Sequence, residues 1–319
     1  MSARRVVVTG VTGFIGGRVA AALAARREGA GVELRAVGRG TPPAWWTEAG
    51  GTWTWADLSA PHSLRDVCRR ADVLLHLAAK VAGDEESCAA VNVAGTAALM
   101  ADAGRHGVGR IVHLSTAAVY GKGPHSGTTV ETTETAPVSP ASRTRLAGER
   151  FALDAGATVL RPGLVLGAGD RWVVPALAEL VERVPGHWAG GDARLSMVGV
   201  EDLARLIATL ALSSRPAPAG VHHASHPEPV RVGDLLDRLA ALGVLPAVPG
   251  RRPAWEECLA LLAATPGRVS ERQFSLLAQD HWYRGDDIWH RSDCPPGPGV
   301  EAGLAASADW YRDHLASLR

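Results

Sequence analysis

The sequence predicts an α/β protein: a doubly wound parallel sheet carrying a smaller, mostly helical C-terminal lobe. Three features point there. Short apolar runs alternate with helix-like stretches through the first half. A glycine-rich turn follows the first run directly. After about Gly167, helices set between Pro/Gly-rich loops replace the alternation.

In chain order, Val6–Thr9 is a strand ending in Gly10, and a helix follows from about Gly17 to Arg27. Val32–Val37 is the second strand and Asp72–Leu77 a further buried one. Between them Ser63 opens a short helix carrying Leu64 and Val67. A helix covers roughly Ser87–Ala103, and Arg110–Leu114 is the next strand. Ser139-Pro140 starts a helix through Ala141–Leu153, because proline is tolerated at the first helical position. Thr158–Leu160 is one more strand, closed by Arg161-Pro162-Gly163. Helices then fall near Trp172–Arg183, Glu201–Leu212, Asp234–Leu242, Trp255–Ala264 and Glu301–Leu315, with Gly220–Ala224 a strand returning to the sheet. This divides the chain into a sheet domain, residues 1–167 joined by about 195–225, and a second lobe from 168–194 and 226–319.

Composition narrows the function. Lys+Arg and Asp+Glu balance at 33 each, so no net field favours nucleic acid or an acidic membrane. No apolar run reaches the ~18–20 residues that span a bilayer. A first strand beginning at Val6 leaves no room for a signal peptide. Cys68, Cys88, Cys258 and Cys294 show neither paired nor metal-ligand spacing, which suits reduced thiols in a cytoplasmic protein. His222, His223 and His226 suggest ligands superficially. Neighbours in a strand point to opposite faces, however, and no Cys or carboxylate stands at supporting spacing, so no metal is expected.

Thr9-Gly10-Val11-Thr12-Gly13-Phe14-Ile15-Gly16 lies between the first strand and the first helix. Glycines there allow a tight turn, let backbone N–H groups reach a pyrophosphate, and let helix pack on sheet. The helix N-terminus then faces the negative charge. The reading is a dinucleotide site, which makes 1–167 a Rossmann domain. The second strand ends Val37-Gly38-Arg39, where an NAD enzyme usually carries Asp or Glu for the 2′-hydroxyl. With a guanidinium in that place and no carboxylate, the expected cofactor is NADP(H), Arg39 taking the 2′-phosphate and Arg18 standing as a second candidate to assist it.

Further segments recur in order: Asp57-Leu58, His76-Leu77-Ala78-Ala79, Asn92-Val93-Ala94-Gly95-Thr96, Leu114-Ser115-Thr116-Ala117-Ala118-Val119-Tyr120-Gly121, Leu160-Arg161-Pro162 and Val200-Glu201-Asp202-Leu203-Ala204. With the glycine-rich turn they make the chain resemble the extended short-chain dehydrogenase/reductases over nearly its whole length. The resemblance implies cofactor contacts from Gly10, Thr12, Gly13, Phe14, Ile15, Gly16, Arg39, Asp57, Leu58, Leu77, Ala78, Ala79, Lys80, Asn92, Ser115, Arg145, Pro162 and Gly163. Within that set Asp57 and Leu58 border the adenine, Ala78 and Ala79 line the dinucleotide, Asn92 supports a central helix, and Pro162 and Gly163 flank the nicotinamide.

One family feature is missing. The usual proton donor is the tyrosine of a Tyr-x-x-x-Lys pair, two side chains on one helix face. Tyr120, Tyr283 and Tyr311 are followed four residues on by Pro124, Asp287 and Leu315, so the pair occurs nowhere. Aligning Leu146-Ala147-Gly148-Glu149 puts Arg145 in the lysine position and Ala141 in the tyrosine position. Arg145 can bond a ribose but is no acid near neutrality. Thr116 retains a hydroxyl where the family polarises the carbonyl, making it the one expected catalytic residue; the bland alternative is that it satisfies a local backbone group.

Two outcomes follow. Hydride transfer persists with a proton from elsewhere, such as a substrate phenol peri to the ketone, where intramolecular alignment reaches effective molarities of ~10⁵ M or more. Otherwise the fold binds NADPH as a regulator without catalysis. A nucleotide-sugar epimerase or dehydratase leans on the absent tyrosine and ranks last. Trp172, Trp188, Trp255, Trp282 and Trp289 fall in the second lobe, where flat indoles suit a large aromatic substrate, although each could equally pack the lobe's own core. Trp45, Trp46, Trp53 and Trp55 lie nearer the adenosine end and carry no substrate role. His113 reads as a packed core residue; His125 and Lys122 sit on a loop near the presumed mouth. The whole resembles the atypical extended-type polyketide ketoreductases of actinomycete aromatic antibiotic pathways. That resemblance implies NADPH-dependent reduction of a ring carbonyl.

Overall fold

The computed structural model describes residues 3–26 and 31–318. Among them the strands are β1 (Arg4–Thr9), β2 (Val32–Gly38), β3 (Thr52–Trp55), β4 (Val73–His76), β5 (Arg110–Leu114), β6 (His125–Thr128) and β7 (Thr158–Arg161). Six more follow: β8 (Leu164–Leu166), β9 (Arg194–Leu195), β10 (Met197–Gly199), β11 (Gly220–His223), β12 (Val230–Arg231) and β13 (His281–Tyr283). Seven of them form an all-parallel sheet in the order β11-β7-β5-β4-β1-β2-β3. This is the doubly wound α/β architecture, with the order reversing beside β1.

Both faces of that sheet are covered, which is why its strands read as near-continuous apolar runs. Val6 and Val8 pack with the helices Phe14–Ala24 and Val200–Leu212. Val7, Leu74 and Ile111 face the other way, towards Leu99 and Ala103 of the helix Thr96–Arg105 and Ala152 of Pro140–Asp154. The last of these helices begins where Ser139 accepts from the Ser142 N–H and the Ser142 hydroxyl returns the bond to the Ser139 backbone.

The second lobe has its own core, from Leu177 and Trp188 through Leu235, Leu262 and Phe274 to Tyr311. It is not purely helical. A four-stranded sheet, β12-β9-β13-β6, and a pair, β10-β8, run through it, and β6 reaches it from before residue 167. These strands are two to four residues long, too short to show a period in sequence. The helices Ala44–Glu48, Glu271–Ala278 and Asp286–Ser292 escaped the sequence for the same reason.

Three expected helices differ in detail. The first runs Phe14–Ala24, and Arg27 lies outside the described residues. The one expected at Ser87–Ala103 spans Glu85–Ala89 and Thr96–Arg105 around a π-helical turn, Ala90–Gly95. The short helix after Ser63 is a 3₁₀ turn, Pro61–Leu64. No helix of the described residues is long and apolar enough to cross a membrane.

Candidate active site

A cleft of about 1920 Å³ opens at the C-terminal ends of β1, β2, β4 and β5, where parallel sheets place their ligands. Its floor is the glycine-rich turn. Gly10 has φ +82°, and a Cβ there would come within 2.8 Å of the Ala78 backbone nitrogen. A Cβ on Gly16 would strike the Gly10 carbonyl oxygen. The Gly13 N–H donates to that carbonyl at 2.9 Å, closing the turn. Thr9 Oγ1 accepts from the Leu77 and Ala78 N–H groups at 3.1 Å each and pairs with His76 Nδ1 at 2.9 Å, stitching the ends of β1 and β4 together. Gly10, Thr12, Gly13, Phe14, Ile15 and Gly16 line one wall; Leu77, Ala78, Ala79 and Lys80 line the other. Bare backbone at a helix N-terminus, with no room for side chains, fits the pyrophosphate of a nicotinamide dinucleotide.

At one end Gly38 and Arg39 face Asp57 and Leu58. Arg39 Nη1 stands 3.9 Å from Asp57 Oδ2, with its side chain 71% exposed. Burial works against the Asp57 carboxylate, but hydrogen bonds from Ser59 and the charge of Arg39 outweigh it and hold the group below its usual range. Arg18 turns away from this end, towards the Ala168 carbonyl at 3.2 Å and Glu201 at 3.4 Å. Trp45 and Trp53 line the cleft beside Arg39, Trp53 lying across Gly38 with a buried, unpartnered Nε1–H. Both stand at the Arg39 end of the cleft, where their spacing after β2 put them.

At the other end Arg145 reaches the cleft from the helix Pro140–Asp154. Its Nη2 donates to the Leu114 carbonyl at 2.9 Å, and its Nε–H is buried without a partner. Five further expected site residues stand behind this wall rather than on it. Asn92, in the π-helical turn, clamps the Lys80 backbone at both N–H and carbonyl, 2.8 Å each, and donates to Thr144 Oγ1 at 3.0 Å. It thus fixes the Lys80 loop to the helix that carries Arg145. The Ser115 hydroxyl donates to Glu149. Pro162 accepts from the Ala117 N–H, and the Gly163 N–H donates to Ser225. Thr116 Oγ1 accepts from the Ala118 N–H at 3.1 Å as the cap of a short turn, so the local backbone role is present while its own hydroxyl hydrogen remains uncommitted.

The tyrosines lie elsewhere. Tyr120, 2% exposed, accepts from Arg161 at 2.9 Å and donates to His223 Nε2 at 2.7 Å, since His223 Nδ1 carries its hydrogen towards the Arg284 carbonyl. Tyr311 donates to Asp170, and Tyr283 is packed against Tyr120. Burial raises the pKa of all three. None lines the cleft.

The tryptophan expectation needs correcting. Trp172, 67% exposed, is on the cleft lip, but Trp188 and Trp289 are buried in the cores with their N–H groups on the Val184 and Ser225 carbonyls. Trp255 stacks on Phe274, and Trp282 covers Gly127. His113 is buried in β5. His125 is packed among Tyr120, His281 and Tyr283 rather than at the mouth, and Lys122 is tied by its carbonyl to His281. His222 bonds Asp287, and His223 bonds the Arg284 carbonyl, each using its own side of the strand. All four cysteines are free and buried.

Residues 6–222 match the NAD dependent epimerase/dehydratase family. A 2-alkyl-3-oxoalkanoate reductase of Stenotrophomonas maltophilia is 29% identical over 94% of this chain and 97% of its own. A 4-hydroxy-2-methyl-3-oxo-4-farnesyl-3,4-dihydroquinoline-1-oxide ketoreductase of Stigmatella aurantiaca is 28% identical over 78% of this chain and 76% of its own. Among solved structures, the dTDP-glucose 4,6-dehydratase of Bacillus anthracis in complex with NAD superposes with a TM-score of 0.73 at 17% identity, over 98% of each chain. At that identity the likeness speaks for the fold alone.

Proposed function

The chain belongs to the NAD dependent epimerase/dehydratase family, as an oxidoreductase of the extended short-chain kind, and on that premise we propose that it is an NADPH-dependent ketoreductase acting on a ring carbonyl of a large aromatic polyketide. The observation that carries the reading is the cleft's lack of a phenol. Ala141 stands in the tyrosine position, and Tyr120, Tyr283 and Tyr311 are all buried away from the cleft. Loss of a general acid costs roughly 10²–10⁴ in rate. A peri-hydroxyl on the substrate recovers it, because it already bonds the ketone oxygen and leaves a delocalised phenolate.

A bound reduced nicotinamide supplies the hydride. The chain's part is to hold the dinucleotide on the Gly10–Gly16 turn, to meet a 2′-phosphate with Arg39, and to align a flat ring at the Arg145 end. Two relatives named as ketone reductases support this reading over sugar chemistry. The same combination of features resembles the angucyclinone ketoreductase of simocyclinone biosynthesis.

The test is NADPH oxidation with a peri-hydroxy aromatic ketone and with its methyl ether. The ether is expected to react at least ~10²-fold more slowly. Equal turnover of the two would overturn the substrate-derived proton. Arg39→Asp is expected to weaken NADPH binding strongly and to spare NADH; equal loss of both would remove the NADP assignment.

A further inference from the structure

Arg145 is a cation without a counter-ion. Among the described residues no carboxylate lies within ion-pair distance of it. Glu149, one turn further along the same helix, is taken: Arg161 donates to it through Nε at 3.0 Å and Nη2 at 2.5 Å, and Ser115 through its hydroxyl. Arg145 lines the cleft, spends one nitrogen on the Leu114 carbonyl and keeps a buried Nε–H unpartnered. A buried charged donor left without an acceptor is costly, and on a cleft wall a bound ligand is one partner that would relieve it.

The groups facing Arg145 do not compensate it. From β4 and β5 come His76 and His113, their rings 5.0 Å apart. Burial and then the arginine's own charge push His76 down to about 4; burial, His76 and Arg145 push His113 well below its usual range, so both stay neutral. Burial also lowers the guanidinium to about 10, with Glu149 opposing, which leaves it charged at neutral pH. Lys80, from the facing loop, lays its side chain over Gly83. A ribose hydroxyl satisfies a hydrogen bond but brings no charge.

We infer that Arg145 is the counter-ion for the negative charge that develops on the substrate's peri-hydroxyl oxygen, an electrostatic catalytic residue that rests on the ketoreductase reading. In that reading, hydride adds to the carbonyl carbon and the C=O π pair becomes an alkoxide. The phenol O–H bond breaks, its proton passes to that alkoxide oxygen, and the phenol oxygen keeps the electron pair. The products are the alcohol, the oxidised nicotinamide and a phenolate, which later takes a proton from solvent. Arg145 moves no proton; its fixed charge stands at the cleft wall, where it stabilises the phenolate. Ala141 lies four residues earlier on the same helix face and carries no group that could compete for that charge.

The test is a spectroscopic titration of 1-hydroxyanthraquinone bound to the complex of the protein with NADP+, a mixture in which no reduction occurs. The bound phenol is expected to ionise roughly 1–3 units below its value in water, the shift an opposite charge at close range produces. Arg145→Gln abolishes that shift when each protein is read at a saturating NADP+ concentration; Arg145→Lys keeps it. An unshifted phenol in the wild type, or a shift that survives in Arg145→Gln, overturns the inference. Should the glutamine variant fail to fold, loss of the shift in Arg145→Lys does the same. Wild-type turnover of peri-hydroxy ketones without a shift sinks the role of Arg145 alone. A shift without turnover of any ketone sinks the ketoreductase reading and leaves the anion site standing. Failure of the quinone to bind counts against both.

Discussion

The cleft is built differently at its centre and at its Arg145 end. Between β1 and the helix Phe14–Ala24 the wall is backbone: Gly10 at φ +82°, Gly16 against the Gly10 carbonyl, and the Gly13 N–H closing the turn, all within seven residues. Around Arg145 the wall is held from behind by side chains from distant segments. Ser115, Glu149, Arg161, Tyr120 and His223 form one buried chain of hydrogen bonds across 108 residues of sequence. A turn made of backbone is fixed by sterics and tolerates no side chain; a wall made of side chains can change its chemistry while keeping its shape. That difference lets a family fold persist while the side chains of its wall change.

The largest expected effect attacks the backbone side. Gly16→Val puts a branched Cβ into the Gly10 carbonyl, so the turn must open. Dinucleotide binding, measured by fluorescence quenching, is expected to fall by more than ~10²-fold, the scale a misplaced site reaches. Binding within a few-fold of wild type would mean that the turn is not the phosphate cradle.

On the side-chain side, Glu149→Gln leaves the Arg161 guanidinium buried with its ion-pair partner neutralised. Breaking a buried pair from one side costs ~3–5 kcal/mol, and the loss should register in denaturant unfolding. Replacing both residues at once with Met should cost less than that single change, because no charge is then left alone. A double variant as unstable as the sum would show that the network is more than a charge pair.

Each wall also hides a histidine that burial keeps neutral. His76 bonds Thr9 beneath the turn, and His223 bonds Tyr120 in the network; burial pushes both down to about 4. In the unfolded chain each takes its proton near 6.5, so between pH 6.5 and 4 the unfolded state binds more protons than the folded one. Stability from this source is full above about pH 6.5 and is lost as pH falls towards 4, on the order of 3 kcal/mol for each histidine. His76→Gln should flatten the fall in Tm over that window. A slope unchanged in both His76→Gln and His223→Gln would place the acid sensitivity elsewhere.

The same contrast explains what could be read from sequence. The β1 turn, Arg39 after β2, and the strands of the central sheet are local signals: glycine spacing, the residue closing a strand, apolar runs buried on both faces. The absence of Tyr-x-x-x-Lys was equally readable, because it needs no alignment. The position of Ser115 behind the wall was not, since its partner Glu149 stands 34 residues away. Nor could composition separate tryptophans that fill a core from one that faces solvent. Trp188 and Trp172 have the same side chain, in the same lobe, and opposite fates.

That pair supplies the smallest and finest test. Trp188 fills the second core against Phe274, with its ring centroid 5.2 Å away, so Trp188→Ala should cost ~3–5 kcal/mol of stability. Trp172 stands on the cleft lip, held there because Asp170 accepts from the backbone N–H groups of Trp172, Val173 and Val174. Its removal should leave stability within ~0.5 kcal/mol, since an exposed ring has little packing to lose. If the ring stacks on a flat substrate, Trp172→Ala forfeits ~0.5–1.5 kcal/mol of aromatic contact, roughly a two- to twelve-fold rise in KM. The kcat should hold, because the contact lies away from the reacting carbonyl and serves ground state and transition state alike. A drop in kcat with KM unchanged would instead place this lip over the chemistry, and with it the reaction end of the cleft.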